Sequence, residues 1–439
     1  MAGAHVELSA VGSAANAGQG DEYLSAPGSL VVRCEAVADP GDLIGLLPVP
    51  DAVAWVKNGE GLVGWGTAAR LVLPAAHDRF ATGEKWLREL FDGADVTDQV
   101  GVPGSGPVAF GSFTFDPASD GSVLVVPKVI VGRRAGAAWL TTIGTDADPP
   151  RPAAGCPVPL TAPAGVRWAD GSLTPPLWER SVAAAVAAIR AGTLRKVVLA
   201  LELQAAAANE MDQRVLLARL TDRYPDCYSF ACAGLIGATP ELLVRRTGRA
   251  VHSLVLAGTT PRGATAQADL ALGRTLLASA KDADEHSYAV EDVRAVLRPL
   301  CADLRVEARP SLLRLTNLQH LATRVDGTLA DGEAATRSAL ALAAALHPTA
   351  AVCGTPLETA MDLIRELEGF DRGRYAGPVG WMDSGDDGEW GIALRCGQLD
   401  GRNLRLFAGC GIVAASDPAA ELAEAQSKFW PMRYAIEGH

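Results

Sequence analysis

The sequence predicts an α+β fold built on large antiparallel sheets. Three observations carry this. Short β-branched runs recur along the chain, bounded by Gly, Pro and Asp clusters. Several are joined by tight turns, SGDDG and DGRN among them, that return each strand beside the last. Helical patterns are interspersed among these meanders, without the regular alternation of a doubly wound parallel sheet.

In order, residues 1–26 are rich in Gly, Ala and Ser and read as a loose tail. A strand-rich part, 27–165, follows, with runs such as SLVVRC, VAWVK and SVLVVPKVIV and one helix near Gly83 to Asp92. The segment DADPPRPAAGCP (146–157) is Pro rich and reads as a linker or long loop. Residues 166–439 form the remainder, expected to make one compact fold with the part before it.

Within that remainder, Pro175 and Pro176 precede an apolar stripe, Trp178, Val182, Val186 and Ile189, which predicts a helix stopping at Gly192. A strand starts at Lys196 in KVVLALELQA, then a helix at about 210–223, then strands in CYSFACAGL, ELLVRR and AVHSLVLAG. A long helix covers roughly Ala266 to Leu300, bent near Lys281 to Asp284. A strand pair follows, then an Ala-rich helix over 334–346. Thr355 to Glu358 reads as a capping box for a helix ending at Gly369. The strands YAGPVGWMD, EWGIALRC and NLRLFAG lead into Gly409 and Gly411, glycines in a strand that mark close approach of a ligand or another backbone. Asp417 and Pro418 start the last clear helix.

Composition narrows the function. The formal charge is −12, which argues against nucleic acid or an anionic membrane as the main partner. The eight cysteines include no C-x-x-C, so they read as reduced thiols of a cytosolic chain and not as a zinc site. No basic start with an apolar run reads as a secretory signal, and no run of about 18 apolar residues predicts a membrane span. G-x-x-x-x-G-K, G-x-S-x-G and H-E-x-x-H are all missing.

The residues that could carry chemistry come in pairs. Glu421, Glu424 and Lys428 share one helix face, by itself the pattern of a solvated ladder. A second acidic pair, Asp282 and Glu285, repeats the three-residue spacing. Two helices that each present two carboxylates suit a hard cation such as Mg²⁺. His286 beside them reads as a packed, hydrogen-bonded histidine. Lys196 is either a gatekeeper at a strand end or a lysine desolvated enough to act as a base. Glu241, among apolar neighbours, is either a turn residue or an acid with a raised pKa. Arg395 in EWGIALRC would need an anion if it faced inward.

The order KVVLA, GATPELL, LAGTTPRG, KDADEH, LQHLAT, LHPTAAVCGTP, RYAGPVGW, IALRC, AGCGIV, ELAEAQSK resembles the chorismate-utilising enzymes. These include isochorismate, salicylate, anthranilate and aminodeoxychorismate synthases. The resemblance covers roughly Leu173 to Met432 and little of the N-terminal third. It implies the chorismate-binding enzyme fold, two large antiparallel sheets with helices outside. It implies Mg²⁺ on Glu285 and Glu424, with Asp282 and Glu421 supporting, and chorismate held through that ion. Gly258 and Thr259 match contacts to the ring region. Tyr375, Arg395, Gly409, Gly411 and Lys428 match positions that hold the substrate carboxylates, and His320 and Ala351 line the same pocket.

Lys196 stands where the water-adding members carry their base, and the His347-Pro348 loop is like that of isochorismate synthases. The implied reaction adds water at ring carbon 2 with Lys196 as base and expels the hydroxyl of carbon 4 with Glu241 as acid. Salicylate synthase is the second reading and an aminodeoxychorismate synthase subunit the third; no glutaminase elbow is present. A non-catalytic family member would have lost an acid, base or metal ligand, and none is lost. Nothing demands a partner chain, so a monomer is expected. Departures from the family pattern are Leu201 in place of Arg, Thr239 of Ser, Val255 of Pro and Cys410 of Ala; of these, Leu201 bears on substrate positioning.

Overall fold

A computed structural model describes residues 29–146, 149 and 159–439. The tail at 1–26 lies outside the described residues, as does all of the Pro-rich segment except residues 146 and 149.

Two sheets face each other. The first has 13 strands among the described residues. Its order is Arg167–Asp170, Lys196–Ala206, Asn403–Ile412, Cys396–Asp400, Leu235–Thr239, Tyr228–Cys232, Ala52–Lys57, Glu60–Trp65, Val129–Arg134, Ala137–Gly144, Val31–Ala36, Asp95–Asp98, with Gly354–Thr355 beside the start of Lys196–Ala206. The second has 10, in the order Cys301–Val306, Leu318–Leu329, Ala250–Pro261, Leu242–Thr247, Gly388–Ile392, Pro378–Asp383, Val108–Ser112, Ser122–Val126, Ala69–Leu73, with Ser311–Arg314 on Leu318–Leu329. The sheets are antiparallel except where Val31–Ala36 runs parallel to Asp95–Asp98. Each draws strands from both sides of residue 165.

Proline explains one division between the layers. SVLVVPKVIV reads as one run, yet Ser122–Val126 joins the second sheet and Val129–Arg134 the first. Pro127 stands between them, with no N–H to continue a ladder. The interior is apolar and rich in tryptophan; Trp55, Trp381 and Trp390 are fully buried. Trp55 of the first sheet donates through Nε1 to Glu389 of the second, at 2.8 Å.

Helices cover the outside, and their ends follow local chemistry. Arg79–Asp92 contains the helix expected near Gly83. Pro175–Arg190 begins on two prolines, and Gly192 follows with φ +83. The long helix is two, Ala266–Ala278 and Ala280–Leu297. Ser279 between them is extended, and its hydroxyl accepts from the Asp282 amide. Pro418–Lys428 is capped by Asp417, which accepts from the Ala420 amide at 3.0 Å. The capping box at Thr355 does not form. Thr355 is taken up by the ladder opposite Lys196, and Pro356 is the N-cap without a side-chain bond.

Candidate active site

One cavity lies where the chain passes between the two layers. Pro240 and Glu241 connect Leu235–Thr239 of the first sheet to Leu242–Thr247 of the second. Residues 393–395 connect Gly388–Ile392 of the second sheet to Cys396–Asp400 of the first. Arg395 therefore does not sit in a strand, as the run EWGIALRC suggests. It takes φ +49 in the passage between layers, and this turns its side chain to the cavity. The cavity holds about 620 Å³ of space, counting its open mouth.

Two glycines shape the first-sheet wall. Gly409 lies opposite Ala200 and Gly411 opposite Val198. A Cβ on Gly411 would stand 2.1 Å from Glu285 Oε1 and 3.0 Å from Lys196 Cε. A Cβ on Gly409 would stand 3.2 Å from the Tyr375 hydroxyl. The missing side chains let a carboxylate, an ammonium stem and a phenol meet against the strand.

On the second sheet, the strand Ala250–Pro261 bulges between Ala257 and Thr259, and Gly258 there has φ +77. The bulge turns Thr259 toward His320, with Oγ1 3.1 Å from Nδ1. Arg395 Nη2 donates to His320 Nε2 at 3.4 Å. Since Nε2 accepts, Nδ1 carries the proton and donates to Thr259. Burial first, then Arg395 and Lys428, push the His320 pKa well below the usual value, so the ring is neutral.

Carboxylates and lysines close the cavity from the helices. Glu285 on Ala280–Leu297 and Glu424 on Pro418–Lys428 both line it, as does Lys428. Lys196 lies at its edge, fully buried, with Nζ 3.4 Å from Glu285 Oε1 and no hydrogen-bond partner. Lys428 Nζ lies 2.7 Å from Glu424 and donates to the Gly409 carbonyl, also at 2.7 Å. Burial opposes the charge on Glu424, but Lys428 outweighs it and holds that carboxyl below its ordinary range. Glu241 behaves in the opposite way. Burial pushes its pKa up to about 8, although Lys196, Arg395 and Lys428 pull it down. At neutral pH it is a protonated acid among cations.

Of the residues singled out in the sequence, the cavity gathers Glu241, Gly258, Thr259, Glu285, His320 and Ala351 with Tyr375, Arg395, Gly409, Gly411, Glu424 and Lys428. Lys196, Asp282 and Glu421 are outside its lining. Glu421 is buried and turned to Lys281, 2.5 Å away. Its carboxylate still belongs to a group with Glu424 and Cys410 whose ligand atoms lie within 4.8 Å of one another. The oxygens suit a hard cation. Cys410 adds no thiolate, because burial pushes its pKa well up and Sγ donates to the Glu421 carbonyl. His286 is structural, bonded to the Ala257 carbonyl and to the hydroxyl of Thr323, which pairs with Val255 across the ladder. Leu201 is buried in the core and outside the cavity lining, so its departure from the family pattern does not bear on the cavity wall. Arg372 also lines the cavity and was not singled out; it stands just ahead of the run RYAGPVGW.

These two sheets are those of a family. Its model, described as chorismate binding enzyme, matches residues 164–437. The chain belongs to that family. Among curated proteins it is similar to the isochorismate synthase DhbC of Bacillus subtilis, 41% identical over 270 residues, which are 59% of this chain and 67% of that one. Of solved structures, DhbC of Bacillus anthracis matches with a TM-score of 0.75 at 30% identity, over 90% of this chain and 99% of that one. MenF of Escherichia coli, a menaquinone-specific isochorismate synthase, matches with a TM-score of 0.77 at 25% identity, over 93% and 95%. The sequence alignments to curated relatives span about two thirds of their length, whereas the structural matches run through nearly the whole fold.

Proposed function

We propose that this chain is an isochorismate synthase, converting chorismate to isochorismate. The observation that carries the reading is one cavity lined by a carboxyl that stays protonated at neutral pH, Glu241, and by Glu285, behind which the buried Lys196 stands 3.4 Å away. With Lys196 as the base, a water gives up a proton as its oxygen bonds to ring carbon 2. The double bonds shift, and Glu241 gives its proton to the hydroxyl that leaves carbon 4 as water. One water enters and one departs, so the net change is an isomerisation. Arg395 and Lys428 are cations suited to the substrate carboxylates, and Tyr375 and Thr259 are hydroxyl donors beside them. Neutral His320 orients Thr259 and Arg395 without adding charge.

Glu285 and Glu424, with Asp282 and Glu421 behind them, would hold a Mg²⁺ that anchors the ring carboxylate when bound. The fit rests on the oxygens of Glu421 and Glu424, within 4.8 Å of one another, on Glu285 and Glu424 lining one cavity, and on the space that Gly411 leaves for Glu285. We read the chain as a cytoplasmic monomer acting on chorismate alone. Its net charge of −12 and the free thiols of all seven described cysteines support that reading, and none of the described helices is long and apolar enough to cross a membrane.

The test is the purified protein with chorismate and Mg²⁺, its products separated by chromatography. Isochorismate alone is expected. Salicylate with pyruvate, or a product formed only with ammonia, would replace this reading.

A further inference from the structure

The strand that carries Lys196 lacks a neighbour along part of one edge. Lys196 and Val197 pair with Gly354–Thr355, and residues from Leu203 onward pair with Arg167–Asp170. Between them the even-numbered residues turn their backbone groups to an open side. The Cys353 carbonyl accepts from the Val198 amide at 2.7 Å. The Glu202 carbonyl accepts from the Gly171 amide at 3.2 Å, and the other groups of Val198 and Ala200 are met by side chains. Arg372 Nη2 donates to the Val198 carbonyl at 2.8 Å. Glu368 Oε1 accepts from the Ala200 amide at 2.7 Å. Trp178 Nε1 donates to the Ala200 carbonyl at 2.8 Å.

Arg372 and Glu368 are also bound to each other, through Nε to Oε2 at 2.8 Å and through Nη2 to Oε1. Their side chains are 2% and 1% exposed. A third arm of the same guanidinium, Nη1, donates to the Val352 carbonyl at 2.9 Å. One planar fork thus ties the Lys196 strand to the loop that carries Ala351 and Val352. Val198, Ala351, Val352 and Arg372 all line the cavity.

A buried ion pair is weak evidence for stability, since an apolar pair of similar volume often serves as well. Its use here is geometric. A guanidinium presents donors at fixed angles, and these set the height of Val198, two residues from Lys196. We propose that Arg372 and Glu368 are positioning residues, a side-chain substitute for a missing strand that fixes Lys196 against the substrate wall. This rests on Lys196 being the base.

The experiment compares the full chain with Glu368→Leu/Arg372→Met, an apolar pair of similar size, and with Arg372→Lys. Steady-state kinetics with chorismate and Mg²⁺, melting temperature and amide exchange over residues 196–202 are read for each. A misplacement near 1 Å costs roughly 10²-fold. The expected result is a loss of about that size in kcat, a KM within about threefold of wild type, a melting temperature kept within a few degrees and faster exchange at Ala200. Arg372→Lys, which cannot span both carbonyls, is expected to lose kcat also, and it serves as the kinetic test if the double variant does not fold. Wild-type kcat in either folded variant, or a lowered melting temperature with kcat intact, overturns the proposal. Wild-type enzyme that makes no isochorismate overturns the proposed function instead, while exchange at Ala200 still reports on the pair.

Discussion

At the scale of single residues, the cavity is a set of opposed protonation states. Glu241 is raised to about 8 by burial, while Glu424 a short distance away is held ionised by Lys428. An acid that must give up a proton works only while it holds one, so kcat is expected to fall as pH rises through about 8. The stability sign is the same. A carboxyl that binds its proton more tightly when folded stabilises fully below its unfolded pKa, near 4.5, and that contribution is lost as pH rises through about 8. Thermal melts of Glu241→Gln should therefore show a flatter pH dependence than wild type across that window. Lys196→Ala and Glu241→Ala are each expected to reduce turnover by about 10²–10⁴-fold without unfolding the chain; a variant with most of its rate would remove that residue from the mechanism. Gly411→Ala sets a methyl group 2.1 Å from Glu285 Oε1, so the carboxylate must move. Titration of activity and melting temperature with Mg²⁺ should show a weakened metal response with the fold retained.

At the scale of elements, helix Pro418–Lys428 carries two of the cavity's charges and is fixed at its start by Asp417. Asp417→Ala is expected to cost about 1 kcal/mol in denaturant unfolding, with a smaller rate loss than Lys196→Ala. The sequence made this helix legible because its signals are local: Asp, then Pro, then charges at helical spacing. The long helix is less well placed by its sequence, which puts a bend near Lys281 to Asp284, whereas the division falls at Ser279. Long-range demands were not legible. Thr355 reads as a cap but is claimed by the ladder beside Lys196. Arg395 reads as a strand residue, yet the passage between layers forces its backbone to φ +49. Arg372 gives no periodic signal at all, because its partners lie on the distant carbonyls of Val198 and Val352.

At the scale of the whole molecule, the family match begins at residue 164, but the sheets do not. Tyr228–Cys232 pairs with Ala52–Lys57, and Pro378–Asp383 pairs with Val108–Ser112. A fragment of residues 159–439 would leave both strands with an unpaired edge. It is expected to show no cooperative melting transition by calorimetry, and a sharp transition in that fragment would make the first part dispensable. The antiparallel plan of these sheets follows from hairpin signals in the sequence. Which strand joins which layer does not, as the division of SVLVVPKVIV at Pro127 illustrates.

The two passages between layers, at Glu241 and at Arg395, have a mechanical consequence. The proposed proton donor and a cation suited to anchoring substrate each ride on a bridge with one foot in either sheet. Their spacing is a reading of how far one sheet has slid over the other. Any shift of one layer over the other would therefore change the distance between the two groups.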